Sequence, residues 1–289
     1  MDCIFSGIEA NLSLPAERDG ACWRFARAQH RVDFHHHLEL ELNLITQGEA
    51  VYLLDDRRYA LRPGSLVWLF PAQNHILLER SSDFAMWILV VKPGLVENVD
   101  RNGTYPVLRE ASPAGSYCRR IGLEGQRRLA ALFAEIAAIT EPTRLNVGLA
   151  YALLSAWAAY AETAAEERYD RVHPAVEATA RLLREETEPT SLKQLAAQFG
   201  LSPSRLSTLF KKQAGTPLAR YRNQQRLERV LRRCETEKSR RVNLLEAALE
   251  AGFGSYTQFY RVFCEVMGCP PAAYLDKRDG AAANYENKS

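Results

Sequence analysis

The densest chemistry in the chain lies in FHHHLELELNLITQG, residues 34–48. An extended strand sends alternate side chains to opposite faces. Leu38, Leu40, Leu42 and Leu44 then share one side, and His35, His37, Glu39, Glu41 and Asn43 the other. The leucines form a core stripe. The opposite side, with two imidazoles, a carboxylate and His75 supplied from a neighbouring strand, is a donor set for a divalent transition metal such as Zn, Ni or Mn. Two further readings stand on the same residues. One is a metal-free polar pocket for a small-molecule effector, with Glu39 and Trp68 added to His35, His37, Glu41 and His75; the other is a face that meets solvent. His36 points with the leucines and takes no role.

These residues need strands to position them. From Trp23 to Val91 short runs such as EAVYLLDDRRYALRPG and SLVWLFPAQNHILLE are broken by Gly, Pro, Asp and Asn, the texture of an antiparallel sandwich or small barrel. Trp23, Tyr52, Tyr59, Trp68 and Trp87 fall on those strands, where aromatic rings either stack on a sugar or fill the core. After Leu123 the chain becomes Ala- and Leu-rich at helical spacing, with Glu141 and Pro142 between two segments, which predicts a helical hairpin. Leu132, Ile136, Ile139, Leu149, Leu153 and Trp157 could form a dimer seam or pack on the barrel. The longest apolar run, Val147 to Ala161, falls short of the roughly 20 residues a membrane span needs, so it is read as a buried helix.

Composition bounds the function. At 289 residues, with 47% hydrophobic and 25% charged residues, the chain has the make-up of a globular protein of two domains. The formal charge of +2 conceals an asymmetry. Residues 1–170 carry 17 Lys and Arg against 22 Asp and Glu, a net −5; residues 171–278 carry 19 against 11, a net +8. Such a step suggests that one half meets a polyanion. Six scattered cysteines without a CxxC pair argue against a disulfide framework and a cysteine zinc site. The acidic start lacks the features of a secretory signal, and a cytoplasmic compartment is expected.

The basic half contains a repeat. SLKQLAAQFGLSPSRLSTLFKKQAG and NLLEAALEAGFGSYTQFYRVFCEVMG each read as a short helix, a Gly turn, a second helix and another Gly. In the first, Leu192, Leu195 and Ala196 face inward, Ser202 is a candidate N-cap before Pro203, and Leu206, Leu209 and Phe210 bury the second helix. Ser204, Arg205, Ser207, Thr208 and Lys211 then face out. In the second, Leu245, Ala248 and Leu249 precede Gly252-Phe253, Ser255 is a candidate N-cap, and Phe259, Val262, Phe263 and Val266 make the inward stripe. Tyr256, Thr257, Tyr260 and Arg261 are displayed. Thin helices showing hydrogen-bonding side chains near their N-terminal turns, with cations for phosphate, are what major-groove reading requires. Between the copies, Arg222, Arg226, Arg229 and Arg233 recur at helical spacing and predict a basic edge that would set affinity and salt dependence.

Leu195-Ala196, Phe210, Arg226-Leu227, Ala248-Leu249, Gly252-Phe253, Phe259, Phe263, Gly268, Pro271 and Tyr274 together resemble the DNA-binding domain of AraC/XylS-type transcriptional regulators, from about Pro174 to Tyr274. The resemblance implies that helices at about Pro203 to Gln213 and Ser255 to Met267 enter two successive major-groove segments. The spacing His35-x-His37-x3-Glu41-x6-Gly48, with Gly64, Pro71 and His75, is similar to the metal-binding pattern of cupin barrels, although residues 71–75 depart from the Gly-containing second cupin motif. Regulators of this family commonly carry a cupin-like sensor.

The expected architecture is therefore α+β and multidomain: a cupin-like antiparallel β-barrel over residues 1–122, a helical dimerisation region over 123–167, a linker over 168–173, an all-α domain with two helix-turn-helix motifs over 174–278, and a disordered tail over 279–289. The expected function is a homodimeric, non-enzymatic transcriptional activator or repressor that binds double-stranded DNA, senses a small molecule, with a carbohydrate favoured, and works with RNA polymerase, away from any membrane. The rival is a metal-dependent cupin isomerase or dioxygenase fused to a DNA-binding domain.

Overall fold

The structure, a computed structural model, describes residues 8–9, 12, 14–26, 35–71, 73–163, 168–185, 190–236 and 242–275. The chain divides into two compact units, Met1–Glu177 with Gln213–Gly215, and Ala178–Lys212 with Thr216–Ser289. The predicted tail at 279–289 lies outside the described residues.

The first unit is built from β1 (Ile8–Glu9), β2 (Gly20–Phe25), β3 (His35–His36), β4 (Leu40–Gln47), β5 (Ala50–Leu54), β6 (Arg57–Leu61), β7 (Ser65–Leu69), β8 (His75–Arg80), β9 (Ala85–Val91), α1 (Pro93–Val99), β10 (Cys118–Arg120), α2 (Leu123–Ala137), α3 (Pro142–Ala161) and β11 (Tyr169–Arg171). The strands form two sheets, in the orders β1-β3-β8-β5-β6-β11 and β10-β7-β4-β9-β2. Among the described residues, every pairing apart from the parallel β1–β3 pair is antiparallel.

Strand β4 explains the layering. Both of its faces are covered from Leu40 to Ile45. Leu40, Leu42 and Leu44 join Trp68, Leu89 and Val91 in a core completed by Leu129, Phe133 and Ile136 of α2 and Leu145, Leu149 and Leu153 of α3. Ile45 belongs to a second core with Tyr52, Tyr59, Val67, Leu69, Ile88 and Val90, drawn from strands of both sheets. Burying each large aliphatic side chain contributes roughly 1.5–3 kcal/mol, so the hairpin is fixed by its spacing of leucines at three and four. Glu141 starts α3 by accepting from the backbone N–H groups of Thr143 and Arg144, and Pro142 occupies its first turn.

The residues named for a dimer seam pack on the barrel of their own chain. Ile136, Leu149 and Leu153 are buried against the sheet, with Leu132, Ile139 and Trp157 packed on the same core. Val147 and Tyr151 are the exposed large hydrophobic side chains of α3.

The second unit contains most of α4 (Pro174–Glu185), then α5 (Leu192–Ala197), α6 (Pro203–Ala214), α7 (Leu218–Thr236), α8 (Leu244–Glu250) and α9 (Tyr256–Met267). The two copies of the repeat turn in the same way. Leu201 N–H donates to the Ala196 carbonyl and Phe253 N–H to the Ala248 carbonyl, each at 3.0 Å, across Gly200 (φ +63°) and Gly252 (φ +91°). These are helix stops of the left-handed kind, which glycine adopts without a Cβ clash. At Gly252 a Cβ would also lie 3.2 Å from Arg226 Nε. Ser202 and Ser255 then cap the second helices by accepting from Arg205 N–H and Gln258 N–H.

The first helix of the second copy buries small residues. On α8, Ala247 and Ala248 are buried while Leu245 and Leu249 are about half exposed. The close approach to α7, the neighbour α8 contacts most, is made by small residues, which rotates the leucines outward.

Candidate functional site

Two groups of residues could carry chemistry, one in each unit. In the first, β3 ends at His36, residues 37–39 form a bend, and β4 begins at Leu40. The single strand expected over this run is therefore interrupted. The bend turns His37 inward and Leu38 outward, so His37 is buried while Leu38 is 57% exposed. Leu38 leaves the predicted core stripe for that reason.

Within the barrel His37 Nε2 lies 2.9 Å from Glu41 Oε2. Asn43 Nδ2 donates to Glu41 Oε1 at 2.8 Å and to the Tyr52 hydroxyl at 3.1 Å. The rings of His37 and His75 meet edge to face, 5.3 Å apart. All five residues are buried, which removes the reading of a solvated face. The carbonyl of Glu39 accepts from His37 Nδ1 at 2.9 Å, and that of Gln73 from His75 Nδ1 at 3.1 Å. Each Nδ1 thus carries a proton, and each Nε2 is the nitrogen offered to the cluster.

The electrostatics follow from this crowding. Burial works against charge on His37, but the hydrogen bond and negative charge of Glu41, with Glu39 beside it, outweigh it and raise the imidazole pKa. Burial likewise pushes the Glu41 carboxyl up, yet the His37 hydrogen bond, the charges of His75 and His37 and the Asn43 amide bring it below its ordinary value. Burial, with the Glu41 charge, pushes the Tyr52 hydroxyl well above its usual range.

His37, Glu41 and His75 can each present a ligand atom, all within 4.8 Å of one another. A tetrahedral ion with bonds of about 2.1 Å needs donors about 3.4 Å apart. The donor types, their burial and the carbonyl-held Nδ1 atoms fit a divalent metal, and the spacing requires one side chain to close inward. Of His35 only the backbone is described; it pairs with His75 in the ladder.

Trp68 is not part of this group. In the β4–β7 ladder Glu41 stands opposite Leu69 and Leu42 opposite Trp68. Trp68 therefore faces the helices, where its ring packs on Trp157 at 5.2 Å and Tyr160 at 6.2 Å. Glu39 sits at the margin, its carboxylate 3.7 Å from His37 Nδ1. Asn43 and Tyr52 are the cluster members missing from the sequence-derived site. Asn43 could have been found from its two-residue spacing to Glu41; Tyr52 comes from the other sheet, and nothing local in the sequence brings it there.

In the second unit, Leu206 and Phe210 bury one face of α6, and Phe259, Val262 and Phe263 one face of α9. Ser204, Arg205, Thr208 and Lys211 are exposed, Ser207 half-buried, and Tyr256, Thr257, Tyr260 and Arg261 exposed. A cleft of about 580 Å³ is lined by Ser207, Thr208 and Lys211 of α6, Arg222, Asn223 and Arg226 of α7, and Gln258 of α9. The displayed face of α6 thus borders the cleft, while α9 reaches it only through Gln258.

The expected basic edge of α7 is used differently. Arg222 donates to the Thr190 carbonyl at 2.6 Å, Arg229 to the carbonyls of Leu183 and Ala251, and Arg233 to the carboxylate of Glu250. All four arginines of the series are only partly exposed. They tie α7 to its surroundings because their spacing places them between the two repeats.

Among the described residues no helix is long and apolar enough to cross a membrane. Residues 20–150 match the family model of the AraC-like ligand binding domain, and residues 195–277 that of a helix-turn-helix domain. Over 257 residues the chain is 24% identical to the uncharacterized HTH-type transcriptional regulator YfiF of Bacillus subtilis (strain 168), spanning 83% of this chain and 77% of that one. Solved structures with some likeness include ToxT from Vibrio cholerae, at 12% identity, 89% of this chain, 98% of that chain and a TM-score of 0.34. The AraC-like transcriptional activator CuxR gives 17% identity, 75% and 78% coverage and a TM-score of 0.32. One crystal structure of ToxT has unsaturated fatty acid bound. With a ligand-binding β-unit matched ahead of a doubled helix-turn-helix unit, the chain belongs to the AraC family of DNA-binding transcriptional regulators.

Proposed function

We propose that this regulator reads duplex DNA through the exposed faces of α6 and α9 and controls that binding through a small polar effector held at His37, Glu41, Asn43, Tyr52 and His75. The observation that carries the reading is the buried polar cluster itself: five hydrogen-bonding side chains gathered beside the largely apolar core of the barrel. Burying such groups is costly unless they serve one another or a ligand. A carbohydrate fits first, because carboxylate, amide, phenol and imidazole together match the donors and acceptors of a polyol. On the DNA side Ser204, Ser207, Thr208, Tyr256, Thr257, Tyr260 and Arg261 are base-edge candidates, with Arg205 and Lys211 placed for phosphates. The protein acts as a cytoplasmic homodimer on RNA polymerase and catalyses no reaction.

A second reading rests on the His37, Glu41 and His75 donor set. These residues would hold a divalent metal, which when bound supplies a Lewis acid; the carbonyls of Glu39 and Gln73 would orient both imidazoles toward it. If that ion turned over a substrate, the barrel would be an enzyme fused to a DNA reader.

A thermal-shift screen of the full chain against sugars, unsaturated fatty acids and Zn, Ni and Mn salts separates these readings, because a ligand of the folded state raises Tm. A sugar response lost in a His37→Ala/Glu41→Ala variant supports the polar pocket. A metal response alone, with turnover after reconstitution, supports the enzyme. A response that survives the double substitution places the effector elsewhere.

A further inference from the structure

We propose that β11 is a latch on the edge of the sensor sheet, and that its pairing is set by the His37–Glu41–His75 cluster through the contact between Asn74 and Asp55. The proposal rests on the reading of that cluster as the sensor site and names how the site is coupled to the rest of the chain.

The latch is a segment that composition alone marks as linker. Tyr169, Asp170 and Arg171 pair antiparallel with Tyr59, Arg58 and Arg57 of β6. Val172 follows, its N–H donating to the Asp56 carbonyl at 3.1 Å and its side chain buried. The Tyr169 ring lies 5.4 Å from that of Tyr59, and the Arg57 guanidinium sits 4.8 Å over it. Yet all three strand residues are exposed. A three-residue edge strand held by exposed contacts belongs to the low-stability end of a fold, where opening is easily biased.

The bias has a path through bonded groups. Asp55 adopts φ +51°, and in that conformation exchanges two hydrogen bonds with Asn74: its own N–H to the Asn74 carbonyl at 2.9 Å, and the Asn74 N–H to its carboxylate at 3.2 Å. Asp56, next in the turn, supplies the carbonyl that holds Val172. On the other side Asn74 is covalently joined to His75 and accepts from His36 Nδ1 at 3.3 Å. One residue thus separates the cluster from the turn that carries the latch.

Occupancy must disturb this arrangement. A metal requires donors spread over as much as 4.8 Å to close toward about 3.4 Å, and an effector bonded to His75 Nε2 draws that ring toward it. In the proposed coupling His75 takes up the shift, Asn74 moves with it, and the Asp55–Asp56 turn loses the geometry that receives Val172. Opening β11 removes the ladder to β6 and the Val172–Asp56 hydrogen bond that hold residues 169–172 on the sheet edge, so release exchanges a docked segment for a free one. This is a two-state element that both ends can bias.

Hydrogen exchange on the full chain tests the coupling without any ligand. The rates of peptides covering residues 168–173 and 85–91 are compared in wild type, Glu41→Gln, Asp55→Gly and the double variant. Asp55→Gly keeps the positive φ accessible and removes only the carboxylate that accepts from Asn74. The latch predicts that Glu41→Gln changes exchange at 168–173 at least fivefold, leaves 85–91 within twofold, and loses its effect in the Asp55→Gly background. No change at 168–173, an equal change in both peptides, or an effect that persists with Asp55→Gly overturns it. Asn74→Ala, which removes the side chain that accepts from His36, repeats the test from the other end. Failure of the sensor reading shows separately, as the absence of a Tm response confined to the cluster.

Discussion

Trp68 stands opposite Leu42 in the β4–β7 ladder, one position out of phase with Glu41. That single step places the indole among helices α2 and α3. Trp68→Ala should therefore cost about 3–5 kcal/mol of stability through cavity formation, read by urea denaturation. At a temperature where the variant is folded, its effector affinity should match wild type. A selective loss of effector binding with stability unchanged would return Trp68 to the pocket.

The His37–Glu41 pair makes a different prediction. Removing one member leaves the other buried without its partner, so Glu41→Ala should destabilise by about 3–5 kcal/mol. Replacing both with apolar residues of similar size, as in His37→Phe/Glu41→Leu, should cost much less. Chemical denaturation of the two variants decides it. If the single change costs under about 1 kcal/mol, the carboxylate is better solvated than its burial implies.

The arginines of α7 divide the basic half into struts and contacts. Arg229 bonds the carbonyls of Leu183 and Ala251, whereas Lys211 is exposed beside the cleft. Lys211→Ala should lower the slope of log K against log salt by about 1, with stability unchanged. Arg229→Ala should lower thermal stability and leave that slope in place. Titrations at several salt concentrations, paired with melting curves, separate the two, and a slope change for Arg229→Ala would mean that it meets phosphate.

On α9, Arg261 and Tyr256 are both exposed. Arg261→Ala should weaken binding to a selected sequence by about 1–3 kcal/mol while sparing binding to random duplex. Competition binding against random DNA measures the difference. Equal losses on both would make Arg261 a phosphate contact.

The helix-turn-helix repeat was legible because it is local. Gly200, Gly252, Ser202 and Ser255 mark starts and stops by their own backbone chemistry, and the inward stripes of α6 and α9 follow from spacing. The barrel site was half legible. His37, Glu41 and His75 come together as the strand pattern implies, and Asn43 follows Glu41 at the two-residue spacing of the same strand, but Tyr52 joins them only because two sheets face each other. Leu38 was misplaced because a bend at residues 37–39 resets the alternation. On α8 helix spacing alone does not say which of two apolar faces packs, and there the alanines are the buried ones. The arginines of α7 looked like a phosphate edge because sequence shows their period and not the carbonyls they meet. Residues 169–171 looked like linker because a three-residue edge strand has too few side chains to show a pattern.

The most direct test of the central claim is selection from a pool of random duplex DNA by the full-length protein, alongside the Tyr256→Ala/Arg261→Ala variant. Enrichment of a bipartite motif with segments about one helical turn, or about 10 bp, apart, and loss of one segment by the variant, is the predicted result. No enrichment over random DNA, or the same motif selected by both proteins, would contradict the assignment of α6 and α9 as the reading helices.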